Sequence, residues 1–278
     1  MIAFGPLFFE IDEIETGESM ARVTVSIVTY NSEHIFEAVA HFQTEVLPYY
    51  PVTLRIFDNH STPAYVQKLR SLASKQIHIT AAQDNRGFGY GHNVNLAQSH
   101  DDYFICCNPD ILITQASFAT MYNFIAAHPK VSMIAPKITN PDGQVQHLIR
   151  YKLDVFDYML RFTRGKFIKR LFAKRIARYE CRDLSEERQQ IKFGSGAFMF
   201  LRASMMRQIG GFDERFFMYF EDNDLCMRIN QAGGQIFYLP DAPVIHYYAR
   251  ASHKSTRGFK QFLRSMVHYF NKWGWRFF

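Results

Sequence analysis

The chain has 278 residues, 47% of them hydrophobic and 21% charged, so it is not disordered and suits one large α/β domain with a C-terminal appendage. Residues 161–182 carry a formal charge of +8 and residues 250–278 carry +7, so the rest of a chain of net charge +6 carries −9. No stretch approaches about 18 uncharged apolar residues, which argues against a membrane-spanning helix.

The amino-terminal segment and the cysteines bear on the compartment. Residues 1–20 hold five acids and no Lys or Arg, which is unlike an export signal. The cysteines show no C-x-x-C spacing and predict reduced, mostly buried thiols rather than disulfides or structural zinc. We therefore expect a cytoplasmic protein.

The first half of the chain alternates predicted strands and helices. Strands rich in β-branched residues are predicted at residues 23–30, 52–58, 77–81 and 103–107. Helices are predicted after Ser32, after Pro63 and after a glycine-rich loop at residues 85–91. This alternation predicts an α/β fold whose mainly parallel, Rossmann-like sheet is flanked by helices.

The second half is less regular. The patterns predict strands at residues 131–136 and 235–239, an apolar segment at 193–201, and helices after Gly165, at 222–231 and at 256–273. We expect an acidic leader at residues 1–21, a main domain at 22–250 with a basic helical insertion at about 151–190, and a basic aromatic helix at 251–278.

Polar residues follow the predicted strands at the edge where ligands bind in parallel sheets. They are Thr29, Asn31, Asp58, Asn85 and residues 108–110. In Asn108-Pro109-Asp110, the carboxylate suits a hard divalent cation that grips a diphosphate, although the tripeptide is also ordinary turn chemistry.

The glycine-rich stretch 85–93 has glycines at alternate positions, which let a backbone approach a ligand closely. A flexible surface loop explains the same feature. A dinucleotide fingerprint would follow the first strand with G-x-G-x-x-G spacing, whereas this G-x-G-x-G follows the third. A nicotinamide enzyme is therefore disfavoured.

An acidic cluster follows the aromatic run at residues 216–220. Acids in a first helical turn complement the helix dipole, and this explains one or two of Glu221, Asp222 and Asp224. Three carboxylates within four residues indicate instead a recessed acidic site in which one acts as a general base on a hydroxyl.

Two further features remain open. His246 is either a histidine that is simply hydrogen-bonded or, with Asp110, a ligand for an ion such as Mn²⁺. The basic segments are solvated helix faces, a homodimer contact or a surface for an anionic membrane. The acidic body and the lack of a recognisable module argue against nucleic acid.

The ordered motifs resemble those of the inverting family 2 glycosyltransferases, particularly their bacterial rhamnosyltransferase branch. The resemblance covers roughly residues 22–255. It rests on VSIVTYNS at 25–32, DNHS at 58–61, NRGFGYGHN at 85–93, NPD at 108–110, GSGAFMFLR at 194–202, GGFDERFFMYFEDNDLCMR at 210–228, and the late His246. It implies a GT-A fold and makes residues 22–250 the glycosyltransferase domain.

The resemblance also implies roles for the donor-side residues. Thr29, Asn31 and Asp58 would line the nucleoside pocket, with Asp58 reaching the base. The residues that would lie beside the nucleotide are Asn85, Gly87 and Asn93, and those that would border the donor sugar and acceptor are Gly194, Ser195 and Gly196.

The remaining implied roles are catalytic. Asp110 matches the last acid of the family's D-x-D metal motif, whose first position is here Asn108, so that Mg²⁺ or Mn²⁺ would depend on Asp110, His246 and the donor diphosphate. Asp222 matches the catalytic base, while Glu221 and Asp224 would orient the acceptor or the base.

The implied reaction is transfer of a sugar from a nucleotide diphosphate donor with inversion. The motif forms most resemble those of dTDP-L-rhamnose users, with a UDP-galactofuranose or UDP-hexose transferase and a non-catalytic sugar-nucleotide-binding module as alternatives. Acceptors in this branch are commonly polyprenyl-diphosphate-linked saccharides of cell-surface polysaccharide synthesis. Such an acceptor implies a protein bound peripherally at the inner face of the cell membrane.

Overall fold

The computed structural model describes residues 20–162, 165–247 and 256–278. The strands of this part are β1 Val23–Thr29, β2 Val52–Asp58, β3 Ile77–Ala81, β4 Tyr103–Cys107, β5 Ile111–Ile113, β6 Val131–Thr139, β7 Gln189–Ile191, β8 Phe198–Arg202 and β9 Gln235–His246. Its helices are α1 His34–Glu45, α2 Pro63–Arg70, α3 Phe88–Ala97, α4 Gln115–Ala127, α5 Val155–Phe162, α6 Lys166–Leu171, α7 Ala173–Tyr179, α8 Ala203–Gln208, α9 Glu221–Gln231 and α10 Thr256–Trp273.

The described strands form one mixed sheet in the order β3-β2-β1-β4-β8-β6-β9-β5, with β7 paired to β9. The first four strands pair in parallel, and β1, at their centre, is buried at all seven positions, as a strand covered on both faces must be. Strand β8 is antiparallel to both β4 and β6. The predicted α/β fold with a helix-flanked sheet is confirmed, and its parallel pairing is concentrated in the first half.

The two core clusters lie on opposite faces of this sheet. Side chains alternate along β4, so Tyr103 and Ile105 join one cluster while Phe104 and Cys106 join the other. The second cluster also contains buried residues of α9 and α10. All four cysteines are buried and none forms a disulfide.

The glycine-rich segment differs from its prediction as a loop through residue 91. Helix α3 already begins at Phe88, and Gly89 and Gly91 lie inside it. A Cβ atom on Gly89 would lie 2.8 Å from Phe212 Cβ, and one on Gly91 would lie 2.7 Å from Phe57 Cδ1. These two glycines allow a helix to pack closely on the protein itself rather than on a ligand.

The C-terminal helix α10 has the predicted bounds, and it packs against the acidic helix. Phe262 and Tyr269 are buried, and each ring centroid lies 5.3 Å from that of Phe220, the residue before α9. Ser265 Oγ donates to the carbonyl oxygen of Met218 at 2.8 Å. No helix within the described ranges is long and apolar enough to cross a membrane.

The two basic segments, distant in sequence, meet in the structure. The backbone N–H groups of Val155 and Phe156 donate to the carbonyl oxygens of Arg276 and Phe277 at 2.9 and 3.3 Å. Asp154, which immediately precedes α5, is buried and accepts from Arg175 of α7 at 3.1 Å. The insertion is therefore joined to the C-terminal segment by backbone hydrogen bonds at the start of α5.

Candidate active site

The ends of β4 and β9 bring together the residues of the predicted metal site. Strand β5 follows residues 108–110 directly and pairs with β9, so that Ile111 lies opposite His246. His246 Nε2 lies 3.3 Å from Asp110 Oδ1 and 3.3 Å from Asn108 Nδ2. His246 is buried and Asp110 is partly exposed, so the pair lies at the floor of an accessible site.

Gln146 determines the tautomer of His246. The amide nitrogen of Gln146 donates to Asn140 Oδ1 at 2.7 Å and to the carbonyl oxygen of His246 at 2.9 Å, which identifies its other atom as oxygen. This oxygen lies 2.8 Å from His246 Nδ1, so Nδ1 carries a proton. In the neutral ring Nε2 then carries the lone pair beside the Asp110 carboxylate.

This donor set fits a divalent cation. A carboxylate oxygen and an imidazole nitrogen suit Mg²⁺ or Mn²⁺, and a ligating histidine commonly donates its second ring N–H to an oxygen, as His246 does to Gln146. Within the described ranges no group of three or more His, Cys, Asp or Glu side chains is positioned to hold a metal. Asp110 and His246 therefore leave coordination positions for substrate phosphate oxygens and water.

The start of α9 places Asp222 through a strained turn. Tyr219 and Phe220 both have left-handed backbones, with φ of 71° and 67°, which is costly for non-glycine residues and is seen mainly at functional sites. The aromatic side chains of α10 and the ring of Tyr158, 4.8 Å away, surround Phe220 and hold this conformation.

The Asp222 carboxylate is fixed by three N–H donors. The backbone N–H of Gly196 donates to Oδ2 at 3.1 Å, and the backbone and side-chain N–H groups of Asn223 donate to Oδ1 at 2.7 and 2.9 Å. Burial raises the pKa of Asp222 above its ordinary value, while the backbone donors and the charge of Arg150 oppose this. The result is an oriented carboxylate with raised proton affinity.

Glu221 lies beside Asp222 and is more deeply buried, at 7% exposed. Burial, followed by the charge of Asp222, holds the pKa of Glu221 well above its usual range. Its Oε2 is buried without a hydrogen-bond partner among the described residues. Two adjacent carboxyl groups with unequal burial are the arrangement in which one stays protonated while the other acts as a base.

Asp224 does not join the other two acids. It is fully buried, with Oδ2 2.8 Å from Arg228 Nε, and Oδ1 2.6 Å from Lys272 Nζ and 2.9 Å from the indole nitrogen of Trp273. Residues two apart on a helix point to opposite sides, so Asp224 contacts α10 while Asp222 faces the site. The sequence-based grouping of the three acids overlooked this geometry.

One cavity of about 320 Å³ is lined both by residues near His246 and by residues at the start of α9. The predicted site residues that line it are Asn108, Gly194, Ser195, Gly196, Glu221, Asp222 and His246. Asp222 and Gly196 touch closely, because a Cβ atom on Gly196 would lie 3.3 Å from Asp222 Cβ. The cavity therefore brings the oriented Asp222 carboxylate together with Asn108 and with His246, which lies beside Asp110.

The predicted nucleoside residues lie at the ends of β1 and β2, where Thr29 is the register partner of Asp58. Asp58 is fully buried; Oδ2 accepts from the backbone N–H of Ser61 at 3.0 Å, while Oδ1 has no partner among the described residues. Asn31, with φ of 49°, accepts from Thr62 N–H at 3.0 Å. The orphaned oxygen of Asp58 suits an N–H donor of a bound base.

The loop before α3 is tied to the end of β2 by a residue that the sequence reasoning missed. Asn59 donates to the carbonyl oxygen of Gly87 at 3.1 Å and accepts from Arg86 N–H at 3.1 Å. Asn85 Oδ1 accepts from Gly87 N–H at 3.1 Å. Gly87 has φ of +96°, and its Cβ would lie 2.3 Å from the Phe217 carbonyl oxygen, so glycine is required there.

Asn93, which is predicted to lie beside the nucleotide, joins α3 to the segment before α9. Its Oδ1 accepts from Phe212 N–H at 2.7 Å, and its Nδ2 donates to the Phe212 carbonyl at 2.9 Å and to Glu214 at 3.0 Å. Both ends of its amide are therefore used in the fold.

The cavity residues that escaped the sequence reasoning include Arg150, Tyr158 and Tyr179. Tyr158 and Tyr179 belong to the basic insertion, which was interpreted by its net charge, and Arg150 immediately precedes it. The apolar i,i+4 spacing in the insertion predicted helices, but it could not predict which of their side chains would line the cavity.

The fold is that of the GT-A glycosyltransferases. The structure of GalNAc-T7 with UDP, GalNAc and Mn²⁺ superimposes with a TM-score of 0.66 at 15% identity, covering 90% of this chain and 48% of that one. This chain thus spans about half the length of that protein, and the likeness shows the fold alone.

The family is shown by sequence. The glycosyltransferase-like family 2 model matches residues 24–278, and the chain belongs to that family. It is 30% identical over 214 residues to N-acetylglucosaminyl-diphospho-decaprenol L-rhamnosyltransferase of Mycobacterium tuberculosis, covering 73% of this chain and 68% of the relative. It is 26% identical to the rhamnosyltransferase WbbL of Escherichia coli K12, and the match covers 66% of this chain and 70% of that relative.

Proposed function

We propose that this glycosyltransferase moves L-rhamnose from dTDP-L-rhamnose, with inversion, to a hydroxyl of a lipid-linked saccharide in cell-surface polysaccharide synthesis. The observation that carries the proposal is the shared cavity of Asp222 with Asn108 and His246, because it holds a base and a cation site together. The names of two relatives, both rhamnosyltransferases, support the sugar, and one of them also supports a diphospho-lipid acceptor.

Asp222 is the general base of the proposed reaction. The N–H donors of Gly196 and Asn223 fix its carboxylate plane, so that an acceptor hydroxyl placed in the cavity meets a lone pair without reorganisation. As the hydroxyl oxygen attacks the anomeric carbon from the face opposite the leaving group, its proton passes to Asp222. The raised pKa of Asp222 favours this transfer.

Asp110 and His246 would hold Mg²⁺ or Mn²⁺. The bound cation supplies neutralisation of the negative charge that develops on the leaving nucleoside diphosphate. Asn108 lies 3.3 Å from His246 Nε2 and supplies an amide donor at the same place. Gln146 keeps the imidazole in the tautomer that binds a cation.

The donor nucleoside is assigned to the edge formed by β1 and β2. Thr29, Asn31, Asn85 and Gly87 form its walls, and Asp58 Oδ1 accepts an N–H of the base. Gly194, Ser195 and Gly196 border the sugar and the acceptor. This assignment leaves the Asp222 side of the cavity for the incoming hydroxyl.

The protein is proposed to work at the inner face of the cell membrane. Phe167 and Leu171 on α6 are 79% and 67% exposed, and the neighbouring side chains of Lys169 and Arg170 suit anionic lipid headgroups. Co-sedimentation with anionic liposomes should fall after charge reversal at Lys169 and Arg170. Unchanged binding would favour a dimer contact or a solvated face.

A donor panel tests the function. dTDP-rhamnose, UDP-galactofuranose, UDP-glucose and UDP-GlcNAc are each assayed by calorimetry and by transfer to a GlcNAc-diphosphate-lipid, with Mn²⁺ and with EDTA. We expect only dTDP-rhamnose to bind tightly, and its rhamnose to be transferred with Mn²⁺ but not with EDTA. Preference for a UDP-sugar would reassign the donor, binding without transfer would indicate a non-catalytic sugar-nucleotide-binding module, and binding of none would contradict the proposed function.

A further inference from the structure

Arg150 is a buried cation on the wall of the catalytic cavity. It is 8% exposed, its Nη1 donates to the carbonyl oxygens of His147 and Ile149 at 2.7 and 2.6 Å, and its guanidinium lies 4.5 Å from the ring centroid of Tyr179. No carboxylate of the described residues lies within 4.0 Å of it. These contacts fix the side chain, and the charges of Asp222 and Glu180 act on it only from beyond 4.0 Å, without an ion pair.

A buried charge without a counter-charge is costly, and proteins retain one where a ligand supplies the opposite charge. In the proposed function, the leaving diphosphate of the nucleotide is neutralised by a cation that Asp110 and His246 would hold, so it does not need Arg150. Arg150 belongs to a different segment, immediately before the basic insertion, and shares its wall with Tyr158 and Tyr179. Arg150 therefore suits an anion other than the diphosphate of the nucleotide.

A second cavity of about 280 Å³ lies on the other side of Tyr179, which lines both cavities. Lys152, Arg175 and Arg178 line the second cavity together with the buried carboxylate of Asp157. Lys152 and Arg175 are paired with Asp154 at 2.9 and 3.1 Å, and Arg175 also pairs with Asp157, whereas exposed Arg178 has no carboxylate of the described residues within 4.0 Å. Arg150 and Arg178 thus lie in the two cavities that share Tyr179, and neither forms an ion pair with a described carboxylate.

Exposed apolar side chains border this second cavity. The guanidinium of Arg175 lies 4.9 Å from the ring centroid of Phe156 and 5.9 Å from that of Phe278. Phe278 is 78% exposed, and Leu171 on the adjoining α6 is 67% exposed. An apolar surface, a basic cavity and the catalytic cavity therefore follow one another along the insertion.

We propose that Arg150 binds the diphosphate of a lipid-linked acceptor, which enters over Tyr179 from the second cavity while its hydrocarbon lies against the exposed apolar side chains. This inference rests on the proposed function, since it names the acceptor's recognition group. The saccharide attached to the diphosphate then lies on the Asp222 side of Arg150. A guanidinium suits this role because it binds phosphate oxygens in a bidentate manner.

The test measures binding without sugar transfer, so that its outcome is separate from the donor panel. Farnesyl diphosphate is the probe, farnesol is its uncharged counterpart, and dTDP with Mn²⁺ reports on the nucleotide site. Calorimetry compares the wild type with R150Q, R150K and R178Q, and with R70Q as an exposed arginine on α2. Thermal melting verifies that each variant is folded.

We expect R150Q to lower the affinity for farnesyl diphosphate about tenfold or more, R150K to lower it less, and R178Q to lower it about threefold. R70Q should bind farnesyl diphosphate as the wild type does. Binding of dTDP and of farnesol should stay the same in every variant. The proposal is overturned if the wild type does not bind farnesyl diphosphate, if R150Q binds it as the wild type does, or if R150Q weakens the binding of dTDP by the same factor as that of farnesyl diphosphate. In the last case Arg150 belongs to the donor site.

Discussion

The backbone N–H of Gly196 donates a 3.1 Å hydrogen bond to Oδ2 of Asp222 and joins the turn before β8 to the first turn of α9. These residues are 26 positions apart in the chain. Their contact sets the orientation of the proposed base, because Asn223 holds the other carboxylate oxygen. The site is therefore made by two segments that must pack correctly against each other.

The first prediction concerns Asp222. Asp222→Asn should fold normally and lose transfer by about 10²–10⁴-fold in kcat, because the amide cannot accept the acceptor's proton. In the wild type, kcat should fall as the pH drops through the raised pKa of Asp222, above the range of an ordinary aspartate. Steady-state kinetics across pH measure both effects.

The control for that variant is Asp142→Asn, an exposed aspartate in a surface turn. It should leave kcat and its pH profile unchanged. Turnover of Asp222→Asn close to that of the control would remove Asp222 from the mechanism.

The second prediction compares two glycines of one turn. In Gly196→Ala the new Cβ would lie 3.3 Å from Asp222 Cβ, so the carboxylate must shift by a few tenths of an ångström. We expect kcat to fall about tenfold with little change in melting temperature. In Gly194→Ala the Cβ would lie 2.6 Å from Met133 Cε, in the core, so this variant should instead lose about 1 kcal/mol of stability.

Paired kinetic and melting measurements separate these outcomes. Equal losses of activity in the two variants, at equal stability, would show that the Gly196–Asp222 contact has no special role.

The third prediction is a pH dependence of stability that arises from Glu221. Its pKa is well above the 4.5 of the unfolded chain, so the folded state binds the proton more tightly. Stability is then lost as the pH rises from the unfolded pKa towards the folded one. The Glu221→Gln variant cannot ionise at this position and so does not lose this stability. The difference in free energy of unfolding, variant minus wild type, should therefore increase between about pH 4 and about pH 8.

Urea unfolding at both pH values measures this difference. A gap that stays constant with pH would mean that Glu221 titrates as an ordinary exposed carboxyl group.

The fourth prediction separates Asp224 from catalysis. Asp224→Asn removes the buried counter-charge of Arg228, while Lys272 keeps its second partner Asp213, and it should lower the free energy of unfolding by about 3 kcal/mol. Below its melting temperature the folded variant should retain kcat within a few-fold, because Asp224 faces α10 and not the cavity. A loss of kcat as large as that of Asp222→Asn, in folded protein, would contradict this assignment.

The fifth prediction concerns the metal site. Gln146→Leu removes the oxygen that fixes the His246 tautomer, and should weaken Mn²⁺ binding in the presence of dTDP about 10- to 100-fold. Electron paramagnetic resonance of free Mn²⁺ measures this affinity independently of transfer. Gln144→Leu, an exposed neighbour, is the control, and equal Mn²⁺ affinity in both variants would show that His246 does not bind the ion.

Much of the fold was readable from local patterns. The run at residues 23–29 is rich in β-branched residues because both faces of that strand are covered, residues 52–58 were predicted from their partly alternating pattern, and α10 was predicted with its observed bounds. Strand β5 was missed because three apolar residues after a turn carry no periodicity. It nonetheless places His246 opposite residue 111.

The sequence by itself determined the fold class, the family resemblance and the identity of Asp110, Asp222 and His246 as candidates, because these depend on residue order along single strands and turns. Only the tertiary structure decided which polar residues face one another. Asn93 proved to join two elements, Asp224 turned towards α10, and Arg150 entered the cavity from just before the insertion. The physical reason is that a local pattern fixes the period of an element, whereas the direction of a side chain depends on long-range packing of buried faces and on which charges find partners.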